Sequence, residues 1–286
     1  MKYLSALIVT LIFTLSCSGL QQTTQDKAIE TNASEVVFTE QKKDNNSTKI
    51  SLGEDGTISD DGISVTTELI YTEAFDHAIF NALLKKYVSE NGNVNYKGLK
   101  AESKTLQRYI DLLKLHQPND DWTKNDKLAY WINAYNALTI DLILRNYPTK
   151  SIKDIKDPWD QRLWKLGDTW QNLNDIEHKI LRKMNEPRIH FAIVCASVSC
   201  PKLQNTAFTA SNLNAQLTNA TKEFLADTSK NELSKDNIKI SKIFKWFKKD
   251  FEQDGSLIDF LNQYSDITIS ESAKKSYTDY NWNLND

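Results

Sequence analysis

The chain has 286 residues, of which 40% are hydrophobic, and this is enough for one sizeable domain or, on length alone, two. Its formal net charge is −3, its pI is about 5.9, and its lysines are spread along the chain. Because a nucleic-acid-binding protein needs a basic face, this composition argues against a nucleic-acid partner.

The N-terminus combines Lys2 with an apolar run from Leu4 to Leu15. This run is too short to span a membrane, which takes roughly 20 apolar residues, but it has the length of a signal-peptide core. Cys17 follows closely, as in a bacterial lipoprotein signal whose cysteine becomes lipidated, although Thr14 stands where leucine is usual. We therefore predict a lipoprotein signal over residues 1–17 and a mature protein that is lipid-anchored outside the cytoplasm. An ordinary secreted signal is the alternative.

Residues 18–64 are polar, contain few aromatic residues and show no sustained apolar period. Such a composition cannot bury enough apolar surface to fold, so we predict a flexible polar tether. The folded domain is predicted over residues 65–286.

The first half of this domain reads as helices followed by a hairpin. Helical spacing of apolar residues appears in FDHAIFNALLKKYV, KTLQRYIDLLKL and KNDKLAYWINAYNALTIDLILRNYP. The last of these is apolar almost all round and ends at Pro148, so we place it at the centre of the core. QRLWKLGDTWQNL alternates apolar and polar residues around Gly167-Asp168, which predicts a β-hairpin.

The second half contains further helices and two short strands. We predict helices for LNDIEHKILRKM, with Asn172 or Asn174 as the N-cap, and for NLNAQLTNATKEFLAD, SKIFKWFKKDF and SLIDFLNQY, strands for Ile189–Val194 and NIKIS, and an extended aromatic tail. There is neither a repeat nor a βαβ alternation, which excludes a doubly wound sheet. The predicted fold is one α+β domain, predominantly helical around a small antiparallel sheet.

Four segments of the domain occur together: YWINAYNALTI, LNDIEHKILR, RIHFAIVCASVSCPKL and SKIFKWFKKDF. In this order and at these separations they resemble the domain of unknown function 547 family, over roughly Tyr87 to Tyr264. The resemblance implies a single domain that is often secreted in bacteria. It also marks five polar residues: Asn133, Asn136, Glu177, His178 and Cys195. It implies no reaction, so the chemistry has to be argued from the residues.

Cys195 ends the predicted strand and is followed by the small residues of ASVS. A nucleophile suits this placement, because the strand would hold it rigidly and the loop amides could bind an oxyanion. A buried, inert cysteine is the alternative. Cys200 could form a disulfide with Cys195 if the loop turns back, and we favour free or reversibly bridged thiols. The spacing is not that of a zinc site, so neither a metal nor a cofactor is predicted.

His178 lies at the boundary between the apolar and wet sides of its predicted helix, where a neutral imidazole could take the proton of a thiol. Glu177 is about 100° further round the helix, so Asn136 or Asn133 could orient the imidazole instead. The structural alternatives are a boundary histidine and two asparagines that clamp a loop, since a buried amide left unpaired costs about 1–3 kcal/mol. His190 is predicted as a satisfied histidine at the edge of the core.

Three functions are compatible with these residues. The first is a cell-envelope cysteine hydrolase or acyltransferase acting on peptide or amide bonds, with Cys195, His178, Asn136 and Glu177 as its catalytic set. The second is a non-catalytic envelope module that binds a partner or a glycan in an aromatic groove formed by tryptophans such as Trp159, Trp164 and Trp170. The third is a thiol–disulfide protein that uses Cys195 and Cys200. The sequence predicts no oligomeric state.

Overall fold

The structure, a computed structural model, describes residues 73–286. The predicted signal peptide, the tether and Cys17 lie outside the described residues. Within this part of the chain, no helix is both long enough and apolar enough to cross a membrane. The described residues form an α+β fold in which helices predominate.

A long central helix organises the first half of the fold. The helices here are α1 (Ala78–Tyr87), α2 (Tyr96–Ala101), α3 (Ser103–Leu115) and α4 (Lys124–Asn146). In α4, every residue from Leu128 to Leu144 except Asp141 is buried, which confirms the prediction of a core helix. A capping box between Thr123 and Asp126 starts the helix, because each side chain accepts a backbone N–H that has no partner within the first turn.

Two small sheets accompany the helices. The predicted hairpin forms from β1 (Trp164–Leu166) and β2 (Thr169–Gln171), which pair antiparallel across a turn in which Gly167 has φ +57°. The second sheet has the order β3 (Glu232–Leu233), β4 (Asn237–Ile240) and β5 (Lys274–Tyr277). β3 and β4 are antiparallel, as predicted for the sheet, whereas β4 and β5 are parallel. The parallel strand β5 lies just before the predicted extended tail and overlaps it only at Tyr277, so this strand was not predicted.

The segment LNDIEHKILRKM is helical but irregular. It begins as α5 (Leu173–Asp175), continues as a π turn (Ile176–Ile180) and ends as a 3₁₀ turn (Leu181–Met184). The side chain of Asn172 accepts the backbone N–H of Asp175 at 2.6 Å, as the predicted N-cap should. Single π turns inside helices frequently occur at functional sites, and this one carries both Glu177 and His178.

The predicted strand Ile189–Val194 is wrong. Residues Pro187–Phe191 form a 3₁₀ helix, which begins where the Glu186 side chain accepts the Arg188 N–H. Proline is well suited to the first turn of a helix, and a short buried apolar run cannot be identified as strand or helix by periodicity alone. A regular strand would have placed the side chains of His190 and Cys195 on opposite faces, and this alternation does not apply to the 3₁₀ helix.

The C-terminal helices form a second apolar cluster together with the three-stranded sheet. These helices are α6 (Leu213–Ala226), α7 (Ile243–Trp246), α8 (Lys248–Phe251) and α9 (Leu257–Tyr264). The segment SKIFKWFKKDF, predicted as one helix, is divided between α7 and α8 at Phe247. Phe191, Phe224, Phe244, Phe251 and Phe260 contact one another at the centre of this cluster.

The last residues run back across the first half of the fold as an extended segment. Asn283 accepts the backbone N–H of Val198 at 2.9 Å, and the carbonyl of Asn285 accepts that of Val94 at 2.8 Å. The side chain of buried Asn285 also accepts the Tyr96 hydroxyl and donates to the Gly92 carbonyl. These bonds position Tyr280 and Trp282 beside the loop that contains Cys195.

Candidate functional site

A cleft of about 200 Å³, which we call the aromatic cleft, is lined by Glu177, His178 and Cys195 but not by Asn133 or Asn136. Its walls come from the π turn, the 195–200 loop, α7 and the C-terminal tail. Six tryptophan, tyrosine and phenylalanine side chains line it: Tyr135, Trp159, Trp246, Phe247, Tyr280 and Trp282. Their ring centroids are separated by 4.6 Å for Tyr280–Trp282, 4.8 Å for Trp246–Tyr280 and 5.9 Å for Trp159–Trp282. Trp246 is 46% exposed, so its ring is open to a ligand.

Cys195 and Cys200 both line this cleft and are joined by a disulfide. The loop turns back at Ala196, whose φ of +55° lies in the left-handed region, and the two Cα atoms lie 6.3 Å apart. This separation falls in the usual range for disulfides. The sequence left open whether Cys195 and Cys200 form a disulfide. In the bridged state Cys195 has no free thiol. Whether the bridge is reversible stays a prediction.

Three of the loop amides that we expected to bind an oxyanion, and the amide of Cys195 before them, are already engaged. The N–H groups of Val198 and Ser199 donate to the tail carbonyls of Asn283 and Asn281, and the N–H of Cys200 donates to the carbonyl of Ser197. The N–H of Cys195 points to the sulfur of Cys200 at 3.0 Å. These four donors stabilise the loop and the tail, so they cannot form the predicted oxyanion hole in this conformation.

His178 lies in the cleft, but its hydrogen bond is to a neighbour on its own helical turn. Its Nδ1 lies 2.9 Å from the guanidinium of Arg182, which can only donate, so the imidazole accepts at Nδ1 and carries its proton on Nε2. Burial and the positive charge of Arg182 lower the pKa of His178, which keeps it neutral near pH 7. Its expected partnership with Cys195 is not seen, although both residues line the same cleft.

Beneath the π turn lies a charged network that the sequence reading missed. Arg182 donates two hydrogen bonds to Asp250, at 2.6 and 2.8 Å, and Nε2 of His190 lies 2.8 Å from the same carboxylate. Burial alone would raise the pKa of Asp250, but the bonds from His190 and Arg182 hold it far below the ordinary value. His190 is buried and stacks on Phe247 with ring centroids 3.9 Å apart, as expected of a satisfied histidine.

Asn136 does not orient an imidazole. Its side-chain N–H donates to the carbonyl of Ala192 at 2.9 Å, and its oxygen accepts the N–H of Val194 at 3.0 Å. Asn133 makes the same pair of bonds with the N–H and carbonyl of Phe208. The structural alternative therefore describes both asparagines: each clamps a buried irregular segment to α4. The hypothesis that Asn136 belongs to the catalytic set is corrected accordingly.

Glu177 is the polar group of the cleft with the poorest partners. It is 8% exposed, and its carboxylate accepts one hydrogen bond, from the hydroxyl of Tyr135 at 3.3 Å. Burial raises the pKa of Glu177 to about 7, against the smaller lowering effects of Tyr135 and Arg182. A carboxyl group with a pKa near 7, buried in a cleft, is typical of functional sites, because it can take up or release a proton at neutral pH.

Several residues of the site were not singled out in the sequence. Asp250 was quoted within SKIFKWFKKDF, where it is the only acidic residue among four lysines, and Arg182 lies one helical turn after His178. Both signals were present, but a mostly basic segment is usually a solvated face. Tyr135, Trp246 and Tyr280 carried no local signal at all. Among the described residues, no group of three or more histidine, cysteine, aspartate and glutamate side chains is arranged to hold a metal ion.

Fold and site together define an extensively helical α+β domain with an aromatic cleft beside a disulfide loop. Residues 119–225 match the family described as "Protein of unknown function, DUF547". This match supports the resemblance seen in the sequence and covers α4, the π turn and the 195–200 loop, but it is shorter than the stretch from Tyr87 to Tyr264. A comparison with curated proteins found no match, and neither did a comparison with solved structures.

Proposed function

We propose that this domain binds a carbohydrate in the aromatic cleft, as a non-catalytic module of the cell envelope. The observation that carries the proposal is the group of six tryptophan, tyrosine and phenylalanine rings around one opening, among which Trp246 is exposed. Binding sites for small molecules combine such apolar walls with a few placed polar groups, which here are His178 and Glu177. The flat, apolar C–H face of a sugar ring matches an indole ring, and the sugar hydroxyls match the polar groups.

A sugar fits this cleft better than an extended peptide does. Extended peptides usually gain affinity by pairing their main chain with a free sheet edge. The strands β1–β5 do not line the cleft, and the nearby tail uses its backbone at Asn281 and Asn283 to bind the 195–200 loop. A volume of about 200 Å³ is below that of sites for drug-sized molecules, so the cleft suits one sugar ring at a time.

Location outside the cytoplasm is part of the same proposal. Its support is a short apolar run followed by Cys17 in the sequence, together with a disulfide loop that an oxidising compartment would preserve. Mass spectrometry of the protein from its native membrane should find a lipidated N-terminal Cys17. A mature N-terminus elsewhere, without lipid, would contradict the anchor.

Titration of the full chain with a panel of oligosaccharides, followed by tryptophan fluorescence and calorimetry, tests the carbohydrate proposal. Trp246→Ala should weaken binding about fivefold, since stacking of an aromatic ring on a flat ligand contributes about 1 kcal/mol. Trp170→Ala is the matched control, because Trp170 is equally exposed, at 53%, but lies on the hairpin outside the cleft. Absence of saccharide binding, or an equal loss in both variants, would reject the proposal.

A cysteine hydrolase or acyltransferase remains the second candidate, because Cys195, His178 and Glu177 line one cleft. It requires reduction of the disulfide. After reduction, Cys195 should alkylate near neutral pH faster than an ordinary thiol, whose pKa is about 8.5. His178→Ala should slow this reaction, whereas Cys200→Ser should not. An unchanged, slow rate in all three proteins would remove this candidate.

A further inference from the structure

We propose that the aromatic cleft contains a subsite for an ammonium group, with Glu177 as its counter-ion, so that the preferred ligand carries an amino sugar with a free amine. This inference rests on the proposed carbohydrate function and names the chemistry of the ligand. It follows from three features of the cleft: a carboxylate without a cationic partner, a local charge pattern that leaves it so, and ring faces that accept cations.

The carboxylate of Glu177 is buried without an ion pair. Within residues 73–286, no lysine, arginine or histidine side chain forms a salt bridge with it, and its one hydrogen bond, from Tyr135, is long at 3.3 Å. Buried charges in proteins are nearly always paired, because an unpaired charge loses its hydration without compensation. A ligand cation would supply the missing partner.

The neighbouring charges cannot take this role. Arg182 is the cation that acts on Glu177, but its Nε and one terminal nitrogen donate to Asp250, and its other terminal nitrogen donates to Nδ1 of His178. The titratable groups that surround Glu177 from α4, the π and 3₁₀ turns, α8 and the tail are Tyr135, His178, Arg182, Asp250 and Tyr280. Arg182 and Asp250 neutralise each other, His178 is neutral, and burial keeps both tyrosines protonated. Among these groups and Glu177 itself, the carboxylate of Glu177 is the charge that has no ion-pair partner.

The aromatic walls of the cleft already accept cations at two places. Nζ of Lys153 lies 5.2 Å from the ring centroid of Trp282, and the guanidinium carbon of Arg182 lies 5.4 Å from that of Phe247. Cations are attracted to the negative face of an aromatic ring within about 6 Å. A cleft that combines such faces with one buried carboxylate is suited to an ammonium group, whereas a single carboxylate without further oxygen ligands is not suited to a metal ion.

Three trisaccharides that differ in the substituent at C2 of each ring test the inference on the full chain. They are the glucosamine trisaccharide, its fully N-acetylated form and the glucose trisaccharide. At about pH 6.5, where much of the amine is charged, the glucosamine form should bind at least about tenfold more tightly than either of the others. Glu177→Gln should remove this preference, whereas Trp246→Ala should weaken all the ligands that bind.

Calorimetry of the unaltered protein gives a second, independent measurement. Because Glu177 is partly protonated near neutral pH, binding of the charged amine should release protons, which is seen as a dependence of the heat on the buffer. The amine subsite is overturned if the acetylated or neutral sugar binds as tightly as the amine, or if Glu177→Gln keeps the preference. If none of the three binds, the carbohydrate proposal falls and the subsite falls with it.

Discussion

Asn136 on α4 and Glu177 in the π turn are both buried polar side chains, but they differ in how well their hydrogen-bonding groups are paired. Asn136 is 1% exposed and uses its amide N–H and its amide oxygen on backbone groups of the 192–194 segment. Glu177 is 8% exposed and has one long hydrogen bond. A satisfied polar group stabilises a structure, while a poorly satisfied one is a cost that function can explain.

This difference gives separate roles to two residues that one catalytic hypothesis had grouped together. The resemblance marked Asn136 and Glu177 together, and the sequence reading placed both in one catalytic set. The structure assigns the asparagine to the scaffold, where it holds the segment that leads into Cys195. It leaves Glu177 facing the aromatic cleft, so the two residues should respond to substitution in opposite directions.

The largest effect is expected for Asn136→Ala, which removes the side chain that pairs with two buried backbone groups. The carbonyl of Ala192 and the N–H of Val194 would be left buried and unpaired, at about 1–3 kcal/mol each. We expect a loss of about 4 kcal/mol in the free energy of unfolding, measured by urea denaturation. Asn146→Ala is the control, since Asn146 lies at the end of the same helix and bonds only to its own Leu142 carbonyl. An Asn136→Ala protein as stable as that control would contradict the clamp.

Glu177→Gln replaces the poorly paired carboxylate and should make the folded protein more stable, by an amount that depends on pH. The pKa of Glu177 is raised from 4.5 to about 7, so the folded protein binds this proton more tightly than the unfolded chain does. The associated stability is present below pH 4.5 and is lost as pH rises through about 7, by about 3 kcal/mol in total.

Gln at position 177 has no such titration, so the variant should be the more stable protein above pH 7, by up to about 3 kcal/mol. Thermal unfolding between about pH 4 and 8 measures this slope. Glu223→Gln removes an exposed carboxylate of α6 and should leave the slope unchanged. A variant that keeps the slope of the unaltered protein would show that Glu177 is not its source.

A smaller effect is expected for Cys200→Ser, which removes the covalent link of the 195–200 loop. A bridge over so short a loop stabilises by about 2 kcal/mol in the chain-entropy model. Unfolding in urea should show a loss of that order, together with one free thiol at Cys195. Reductant added to the unaltered protein is the matched control and should produce the same loss. Equal stability with and without reductant would show that the bridge does not support the fold.

Regular elements with strong patterns could be predicted from the sequence. The near-continuous apolar character of α4 predicted its central position, and the alternation around Gly167 predicted the hairpin. The run Ile189–Val194 could not be assigned in this way, because its conformation depends on the Asn136 clamp and on the start of the helix at Glu186 and Pro187. The parallel strand β5 also had no local signal, since its partner β4 lies more than 30 residues earlier.

For the site, the sequence by itself determined which residues can carry chemistry: Cys195, Cys200, Glu177 and His178 stand in short motifs whose residue types limit what they can do. Only the tertiary structure decided their roles. The two cysteines form a disulfide, His178 is hydrogen-bonded to Arg182, and Glu177 has no cationic partner among residues 73–286. The physical reason is that burial, pairing and pKa depend on neighbours that are distant in sequence. Tyr135, Phe247 and the aromatic tail reach the cleft from three separate parts of the chain, and no local sequence pattern predicts that they come together.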